Sequence, residues 1–204
     1  MTDGIPQLVA HRGYMQRYPE NSWRGLEAAL EAGACWLEFD VQMCRDGRFV
    51  LLHDDNFART AGIEQSVFDL DSQHIDISVH EPGRLGRAHA PTPVCPLDEA
   101  LNRLSKFPRA RAMVEIKQES IDHWGLEKVM QPLVTLLQSR IAQCCLISFS
   151  ADALHWCKAN STLQTGWVLH AHDAHHRQTA AALAPDFLIC NQRKIPSPES
   201  LWAG

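Results

Sequence analysis

The chain has 204 residues, of which 45% are hydrophobic, and a formal net charge of −5, so we expect a single domain spanning 1–204. The acidic balance without Lys/Arg runs argues against a nucleic-acid partner, and no apolar run approaches the roughly 20 residues of a membrane-inserted helix. Seven scattered cysteines without a C-x-x-C pair, behind a polar N-terminus, favour reduced thiols and a cytoplasmic location.

The chain then alternates between strand-like and helix-like stretches. Residues 5–10 predict a strand, and residues 22–32 predict a helix because their apolar side chains recur at helical spacing. A second apolar run, residues 36–41, predicts a strand that contains two carboxylates, Glu38 and Asp40. Because residues i and i+2 of a strand point to the same face, we expect these charges to lie together, which is costly unless a cation lies between them.

The dipeptide Asp46-Gly47 marks a turn, after which the apolar run resumes. If these two residues form a type I′ hairpin turn, Arg45 lies opposite Arg48 and Asp40 lies opposite His53. A histidine would then stand beside the carboxylate pair, where it could act as a general acid or base at the edge of a hard-metal site.

Residues 54–97 are rich in His, Asp, Gly and Pro and are too long for an ordinary connection, so we expect a functional lid or a small inserted lobe. After them, helix-like and strand-like stretches alternate again, beginning with a helix, over 97–104, 112–117, 122–140, 144–149, 151–160, 165–169, 175–183 and 186–190. Pro132 predicts a kink in the longest helix, and a last helix is expected to begin near Pro198.

This alternation is typical of an α/β fold with a parallel sheet. It provides six parallel strands and one antiparallel return, whereas a closed (β/α)8 barrel needs eight strands and typically about 250 residues. We therefore expect a TIM-type barrel that is incomplete at its C-terminus, with a small inserted segment after the second-strand hairpin. The open sheet edges of such a fold invite pairing with another copy, so a homo-oligomer is one expectation.

Polar residues occur at the ends of the predicted strands, where the active sites of barrel enzymes form. A third carboxylate, Glu115, precedes Lys117 by two residues. Three carboxylates suit Mg²⁺ or Ca²⁺ better than zinc, whereas Arg12 and Lys117 suit phosphate oxygens. With His11 and His53 available to move protons, this inventory describes metal-assisted phosphodiester cleavage.

Each pattern also has an ordinary structural explanation. Glu38 and Asp40 would fit the solvent face of a half-exposed strand, and the pair Glu115/Lys117 would fit a plain ion pair. The run 170–176 holds four histidines, but it lacks the fixed spacing of zinc motifs. The joint occurrence of the carboxylates, the cations and the histidines favours the functional interpretation for all of them except this run.

Seven short motifs occur in order: His11-Arg12-Gly13, Pro19-Glu20-Asn21-Ser22, Glu38-Phe39-Asp40-Val41, Asp46-Gly47, His53-Asp54, Glu115-Ile116-Lys117 and Ser148-Phe149. In order and spacing they resemble the signature of the glycerophosphodiester phosphodiesterase family. The resemblance covers essentially the whole chain. It implies a TIM-type barrel that uses a divalent cation, Mg²⁺ or Ca²⁺, to hydrolyse glycerophosphodiesters to an alcohol and sn-glycerol 3-phosphate.

The resemblance also implies roles for individual residues. The metal ligands would be Glu38, Asp40 and Glu115. The acid/base pair would be His11 and His53. The substrate- and phosphate-binding residues would be Arg12, Lys117, Glu20, Asn21 and Phe149. The segment 54–97 would shape access for the glycerol moiety.

Three functions stay open from the sequence. The first is hydrolysis of a small glycerophosphodiester, by attack of either water or the neighbouring glycerol hydroxyl. The second is a lysophospholipase D-like or phosphoinositide phosphodiesterase activity, which would need an apolar rim, whereas 54–97 is polar. The third is an inactive or associating incomplete barrel, because the final two βα units of the family have no counterpart in the chain.

Overall fold

The computed structural model describes residues 7–86 and 90–195 and has a seven-stranded sheet at its centre. In chain order the strands are β1 (Val9–His11), β2 (Trp36–Met43), β3 (Phe49–Leu51), β4 (Arg111–Ile116), β5 (Cys144–Ser148), β6 (Thr165–Val168) and β7 (Phe187–Ile189). Six of them run parallel in the order β1-β2-β4-β5-β6-β7, and β3 pairs antiparallel with β2. The predicted α/β barrel-type sheet with six parallel strands is confirmed. The expected helix near Pro198 lies outside the described residues.

Six helices connect the parallel strands, as crossover connections between parallel neighbours require. They are α1 (Trp23–Glu31), α2 (Leu97–Leu104), α3 (Gln118–Trp124), α4 (Leu126–Gln138), α5 (Ala151–Asn160) and α6 (Ala174–Leu183). The main core lies between these helices and the sheet, where Leu26, Leu37, Val114 and Leu133 are fully buried. In the described part of the chain, no helix has both the length and the apolar character needed to cross a membrane.

The link from β1 to α1 is unusually tight. Ser22 begins the helix by accepting the Gly25 N–H at its Oγ over 3.1 Å, which satisfies one of the free amides of the first turn. Gly13, just after β1, has φ +91° and packs directly on Gly25. A Cβ on Gly13 would lie 2.7 Å from the Gly25 carbonyl carbon, so only glycine fits there.

The hairpin between β2 and β3 corrects the predicted register. Val41 lies opposite Leu51, and the turn has three residues, Arg45, Asp46 and Gly47, with Gly47 in the left-handed region at φ +77°. The predicted facing of Arg45 with Arg48 and of Asp40 with His53 is therefore wrong by one residue.

The physical reason for this register is a long-range contact of the turn. The Asp46 carboxylate accepts hydrogen bonds from the backbone N–H and hydroxyl of Ser72, at 3.0 and 2.8 Å. This contact holds the turn against the inserted segment, and the local preference of Asp-Gly for a two-residue turn gives way to it. His53 consequently lies beyond the end of β3 rather than within the ladder.

The predicted helix over 122–140 is also corrected. The structure has two helices in this stretch, α3 and α4, which separate at Gly125 with φ +90°. Pro132 lies within α4. The break is where the Trp124 indole N–H donates to the Met43 carbonyl over 3.0 Å, so the chain turns to pack α3 against the end of β2.

The described part of the segment 54–97 is built from short elements. Two-stranded ladders pair Asn56–Phe57 with Ile63–Ser66 and Ser78–Val79 with Thr92–Pro93. Short helices lie at Ala58–Ala61 and Pro82–Leu85. A separate hydrophobic cluster, formed by Cys44, Val50, Leu52, Phe57, Ala61, Val67 and Phe68, joins the segment to β3. The expected lid function stays a prediction.

Gly13 provides a stability test with a matched control. We expect Gly13→Ala to lower the free energy of unfolding by about 2 kcal/mol or more, because the methyl group overlaps the Gly25 backbone and the left-handed φ adds strain. Gly33 also has a left-handed φ, +99°, but a Cβ there meets nothing within 4 Å, so Gly33→Ala should cost only about 1 kcal/mol. Urea unfolding of both variants measures the difference, and equal losses would contradict the close packing at Gly13.

Candidate active site

Strand register brings the predicted polar residues to one end of the sheet. In the β1–β2 ladder His11 pairs with Glu38, and in the β2–β4 ladder Asp40 pairs with Glu115. Paired residues of neighbouring strands point to the same face, and Glu38 and Asp40 share a face by their spacing. Four side chains from three strands therefore meet at one place.

The three carboxylates form a compact, buried group. One oxygen each from Glu38, Asp40 and Glu115 lies within 4.8 Å of the others, and all three residues are at most 7% exposed. Two of the buried oxygens, Glu38 Oε1 and Asp40 Oδ1, accept no hydrogen bond from any described residue. Buried carboxylate oxygens without a donor are costly, which indicates that the group is built to receive a cation.

Burial and mutual repulsion both act on these carboxylates. Burial raises the pKa of Glu38 well above its usual range, and the charges of Asp40 and Glu115 raise it further. The pKa of Glu115 is raised by burial first and by Asp40 second, although Lys117 opposes the shift. Protons are thus favoured in the cluster when no metal is bound.

Two cations partly offset the negative charge. Lys117 Nζ lies 2.8 Å from Glu115 Oε1 and 3.4 Å from Asp40 Oδ1. Burial alone would lower the pKa of Lys117, but Asp40 and Glu115 raise it overall, so the amine is charged. Arg12 Nε lies 3.0 Å from Asp40 Oδ2, and its backbone N–H donates to Glu38 Oε2 over 3.1 Å.

Asn21 fixes the orientation of Asp40. Its Nδ2 donates to Asp40 Oδ2, and its Oδ1 accepts the Asp40 backbone N–H, each over 3.0 Å. Asn21 and Arg12 both have positive φ, +52° and +56°, and the Asn21 N–H donates to the Arg12 carbonyl. Left-handed residues other than glycine mark a backbone held by its surroundings, here so that both side chains reach Asp40.

Glu20 lies beside this group but is held by arginines. Its carboxylate accepts hydrogen bonds from Arg12 Nη1 at 3.2 Å and from Arg59 Nη2 and Nη1 at 2.6 and 3.0 Å. Burial would raise the pKa of Glu20, but hydrogen bonding by Arg59 and the charge of Arg12 outweigh it and lower the pKa overall. Glu20 therefore presents a fixed negative charge near the site.

The two histidines differ in their surroundings. His11 Nε2 lies 3.7 Å from Glu38 Oε2, and the pKa of His11 is lowered, by partial burial first and by Arg12 second. His53 Nδ1 lies 2.6 Å from Asp54 Oδ1. His53 makes a small contribution to lowering the pKa of both His11 and Glu20, so it lies near them although the ladder register is not the predicted one.

Phe149 borders the site at the end of β5. Its ring centroid lies 5.7 Å from Lys117 Nζ and stacks on His170 with centroids 4.5 Å apart. From the histidine-rich run, His176 instead packs on Trp167 and pairs with the cap residue Asp173. Among the described residues the metal-ligating groups come together at the carboxylates and not in this run.

Several supporting residues were missed by sequence reasoning. Arg59, from the inserted segment, binds Glu20 and Asp54, and Glu81, buried, accepts the Glu20 backbone N–H over 2.6 Å. Gln42 Nε2 donates to the His53 carbonyl over 3.2 Å, and Ser120 donates to Gln42. Of these residues only Gln42 could have been predicted from the sequence, because it is a polar residue in a buried strand, on the same face as Glu38 and Asp40.

The residues present fit a hard divalent cation. Glu38, Asp40 and Glu115 supply oxygens only, and Glu38 Oε1 and Asp40 Oδ1 accept no hydrogen bond from the described residues. Oxygen donors of this kind are typical of Mg²⁺ and Ca²⁺ sites. Arg12 and Lys117, at the border of the carboxylates, can take phosphate oxygens. The arrangement therefore combines candidate ligands for a cation, two side chains suited to an anion and two histidines that could transfer protons.

Comparisons with known proteins agree with this chemistry. The chain is 29% identical over 155 residues to the Bacillus subtilis (strain 168) protein YqiK, covering 75% of this chain and 62% of the relative. It is 28% identical over 137 residues to a glycerophosphodiester phosphodiesterase of Bacillus altitudinis, covering 66% of this chain and 54% of that relative. The chain thus spans between one half and two thirds of the length of these relatives.

The fold matches a solved structure of a phosphodiesterase from Oleispira antarctica in complex with the product sn-glycerol-3-phosphate. The TM-score is 0.79 at 24% identity, covering 93% of this chain and 76% of that chain. A likeness at this identity shows the shared fold. The family model matches residues 11–194, which include every site residue described above, and the chain therefore belongs to the glycerophosphoryl diester phosphodiesterase family.

Proposed function

We propose that the protein hydrolyses glycerophosphodiesters to an alcohol and sn-glycerol 3-phosphate with the help of a divalent cation. The observation that carries this proposal is the buried carboxylate group, in which two oxygens of the described residues accept no hydrogen bond, bordered by Arg12 and Lys117. Family membership supports the reaction class, and the Oleispira antarctica phosphodiesterase of the same fold holds sn-glycerol-3-phosphate as its product.

Mg²⁺ or Ca²⁺ is the proposed ion, with Glu38, Asp40 and Glu115 as its ligands. When bound, such an ion polarises a phosphate oxygen and offsets the charge that develops at phosphorus. Arg12 contacts carboxylates through Nε and Nη1, so its Nη2 is proposed to bind a phosphate oxygen, and Lys117 offers a point charge.

Proton transfer is assigned to the two histidines. One takes the proton from the nucleophile, which is water or the neighbouring glycerol hydroxyl, and the other protonates the leaving alkoxide. His11 and His53 approach the site from different segments, one at the end of β1 and one after β3. Two histidines on separate segments support the assignment of one proton transfer to each.

The remaining site residues orient the reactants. Asn21 holds Asp40 through two hydrogen bonds, and Glu20 keeps Arg12 in place. Glu20 is also proposed to reach a glycerol hydroxyl. Phe149 forms a wall beside Lys117.

A small water-soluble substrate suits the inserted segment better than a lysophospholipid. In its described part, residues 54–86 and 90–97, Ile63 is the large apolar side chain that is exposed. An acyl chain needs a continuous apolar surface. A reducing, cytoplasmic compartment is proposed because all seven cysteines lie in the described residues as free thiols.

Release of sn-glycerol 3-phosphate from glycerophosphocholine tests the assigned site. We expect wild-type turnover with Mg²⁺ or Ca²⁺ that EDTA abolishes, because without the cation the three carboxylates repel the negatively charged phosphate. Glu115→Gln and His11→Ala should each lose about 10²–10⁴-fold in kcat. His155→Ala, on the exposed face of α5, is the matched histidine control and should retain full activity. Full activity in His11→Ala or Glu38→Ala would refute the assignment.

Glu38 gives a test that does not depend on turnover. Because its pKa is higher in the folded than in the unfolded chain, the folded state holds an extra proton between the two values, and metal-free stability falls as pH rises through that window. At pH 8 in EDTA, Glu38→Gln should therefore raise the free energy of unfolding by about 1–2 kcal/mol, with a smaller gain at pH 5.

Urea unfolding with EDTA or with a divalent ion measures this effect. Wild type should gain stability from the ion, and Glu38→Gln should gain less, because binding to the folded state stabilises it. Glu31→Gln, at the exposed end of α1, removes one carboxylate elsewhere and should show no such pH dependence. Identical curves for Glu38→Gln and wild type would argue against a repulsive carboxylate group.

Substrate choice separates the two enzyme alternatives. We expect kcat/KM for glycerophosphocholine to exceed that for lysophosphatidylcholine by at least about tenfold, because the acyl chain finds no apolar surface on the described inserted segment. Parallel assays below the critical micelle concentration measure the ratio. Equal turnover of the two substrates would favour the lysophospholipase D alternative.

A further inference from the structure

We propose that Arg59 is a positioning residue that fixes His53, through Asp54, and Glu20 in a single guanidinium contact. The inference rests on the proposed function, since it concerns how the acid/base histidine of that reaction is oriented. Arg59 comes from the inserted segment, which the family resemblance associates with access for the substrate. The contacts of Arg59 assign the inserted segment a second role, which is to position His53 and Glu20.

All three guanidinium nitrogens of Arg59 are engaged. Nε donates to Asp54 Oδ2 over 2.7 Å, while Nη2 and Nη1 donate to the two oxygens of Glu20 at 2.6 and 3.0 Å. Glu20 is 4% exposed, whereas the Arg59 side chain is 46% exposed. A phosphate oxygen would have to displace these carboxylates, so Arg59 acts on protein groups rather than on substrate.

Asp54 transmits this contact to His53. Burial would raise the pKa of Asp54, but hydrogen bonding by Arg59 and His53 lowers it overall, so the group is a carboxylate and can only accept hydrogen bonds. His53 Nδ1, 2.6 Å away, must then carry the proton. The other ring nitrogen, Nε2, is left to exchange a proton with the substrate or the nucleophile.

The short helix that holds Arg59 is itself fixed to the loop of Glu20. The Thr60 carbonyl accepts the His80 and Glu81 N–H groups at 2.9 and 3.0 Å. The Glu81 carboxylate in turn accepts the Glu20 backbone N–H over 2.6 Å. Arg59 and Glu20 are therefore linked twice, once directly by their side chains and once through Thr60 and Glu81. These two links fix the position of the guanidinium group.

A second arginine of the inserted segment, Arg84, binds the loop that carries Glu20. Arg84 Nη2 donates to the Tyr18 carbonyl over 2.9 Å and Nη1 donates to the Met15 carbonyl, while Nε pairs with Glu81 over 3.0 Å. These contacts do not reach either histidine. They support the loop, so the orientation of His53 depends on Arg59 rather than on the segment as a whole.

Turnover of Arg59→Ala, in the presence of the divalent ion that supports wild-type activity, is the first measurement. We expect kcat for glycerophosphocholine to fall about tenfold to a hundredfold, because charged hydrogen bonds to two functional carboxylates are lost. Guanidinium chloride at millimolar concentration should restore part of this loss, since the exposed cavity can readmit the ion, and equal NaCl should not. Arg59→Lys should recover less than half of wild-type kcat, because an ammonium cannot bridge both carboxylates.

Arg45→Ala is the matched control. Arg45 also makes a forked pair, with Asp71 at 3.0 and 2.9 Å, but contacts no site residue. Its removal should leave kcat unchanged and insensitive to guanidinium. Loss of activity to the same degree in Arg45→Ala, or wild-type kcat in Arg59→Lys, would overturn the proposal.

Nitrogen NMR of histidine-labelled protein gives a readout that does not require turnover. The His53 ring, assigned by its loss in His53→Asn, should show a single Nδ1-protonated tautomer in wild type and in Arg45→Ala, and a mixture in Arg59→Ala. Unchanged ring shifts in Arg59→Ala would refute positioning by Arg59. If wild type released no sn-glycerol 3-phosphate, the proposed function would fail, and the NMR comparison would still decide whether Arg59 orients His53.

Discussion

Three carboxylates buried within 4.8 Å of one another impose the strongest physical demand on this protein. Their burial and mutual repulsion raise the pKa of Glu38 and Glu115, and two of their oxygens accept no hydrogen bond from the described residues. The sheet meets this demand because β2 and β4, which carry the three carboxylates, are paired from Trp36 with Arg111 to Val41 with Ile116, so moving these strands apart to relieve the repulsion would break their ladder. The neighbouring residues must then neutralise and orient the charges.

The surrounding side chains do so in two layers. Lys117 and Arg12 touch the carboxylates directly, and Asn21 fixes Asp40 from a left-handed backbone position. Farther from the carboxylates, Glu20 forms an ion pair with Arg12, and Arg59 donates hydrogen bonds to Glu20. Charges of alternating sign thus extend from the strand ends into the inserted segment, and Asp40, Glu115 and Glu20 each pair with a Lys or Arg side chain.

The sheet and the core of the site were predictable because they depend on short-range patterns. Any β-strand places residues two positions apart, such as Glu38 and Asp40, on the same face, and strand–helix alternation favours a parallel sheet. Neither inference depends on residues far away in the sequence. The turn at Asp46 was not predictable, since its shape depends on Ser72, twenty-six positions away. Arg59 was missed for the same reason, because no local pattern distinguishes an arginine that reaches Glu20 from one exposed to solvent.

The short helix around Arg59 is attached at two points, so the two parts of the inserted segment differ in how far their sequences can change. Residues next to Arg59 and Glu81 cannot shift without moving Asp54, which contacts His53, and the Glu20 loop. The ladder strand Ile63–Ser66 and the residues up to 79 make none of these contacts among the described residues. Exposed positions of this outer part, such as Ile63 and Glu64, can therefore vary without disturbing Arg59, whereas Val67, Phe68 and Ser72 are held by the cluster on β3 and by Asp46.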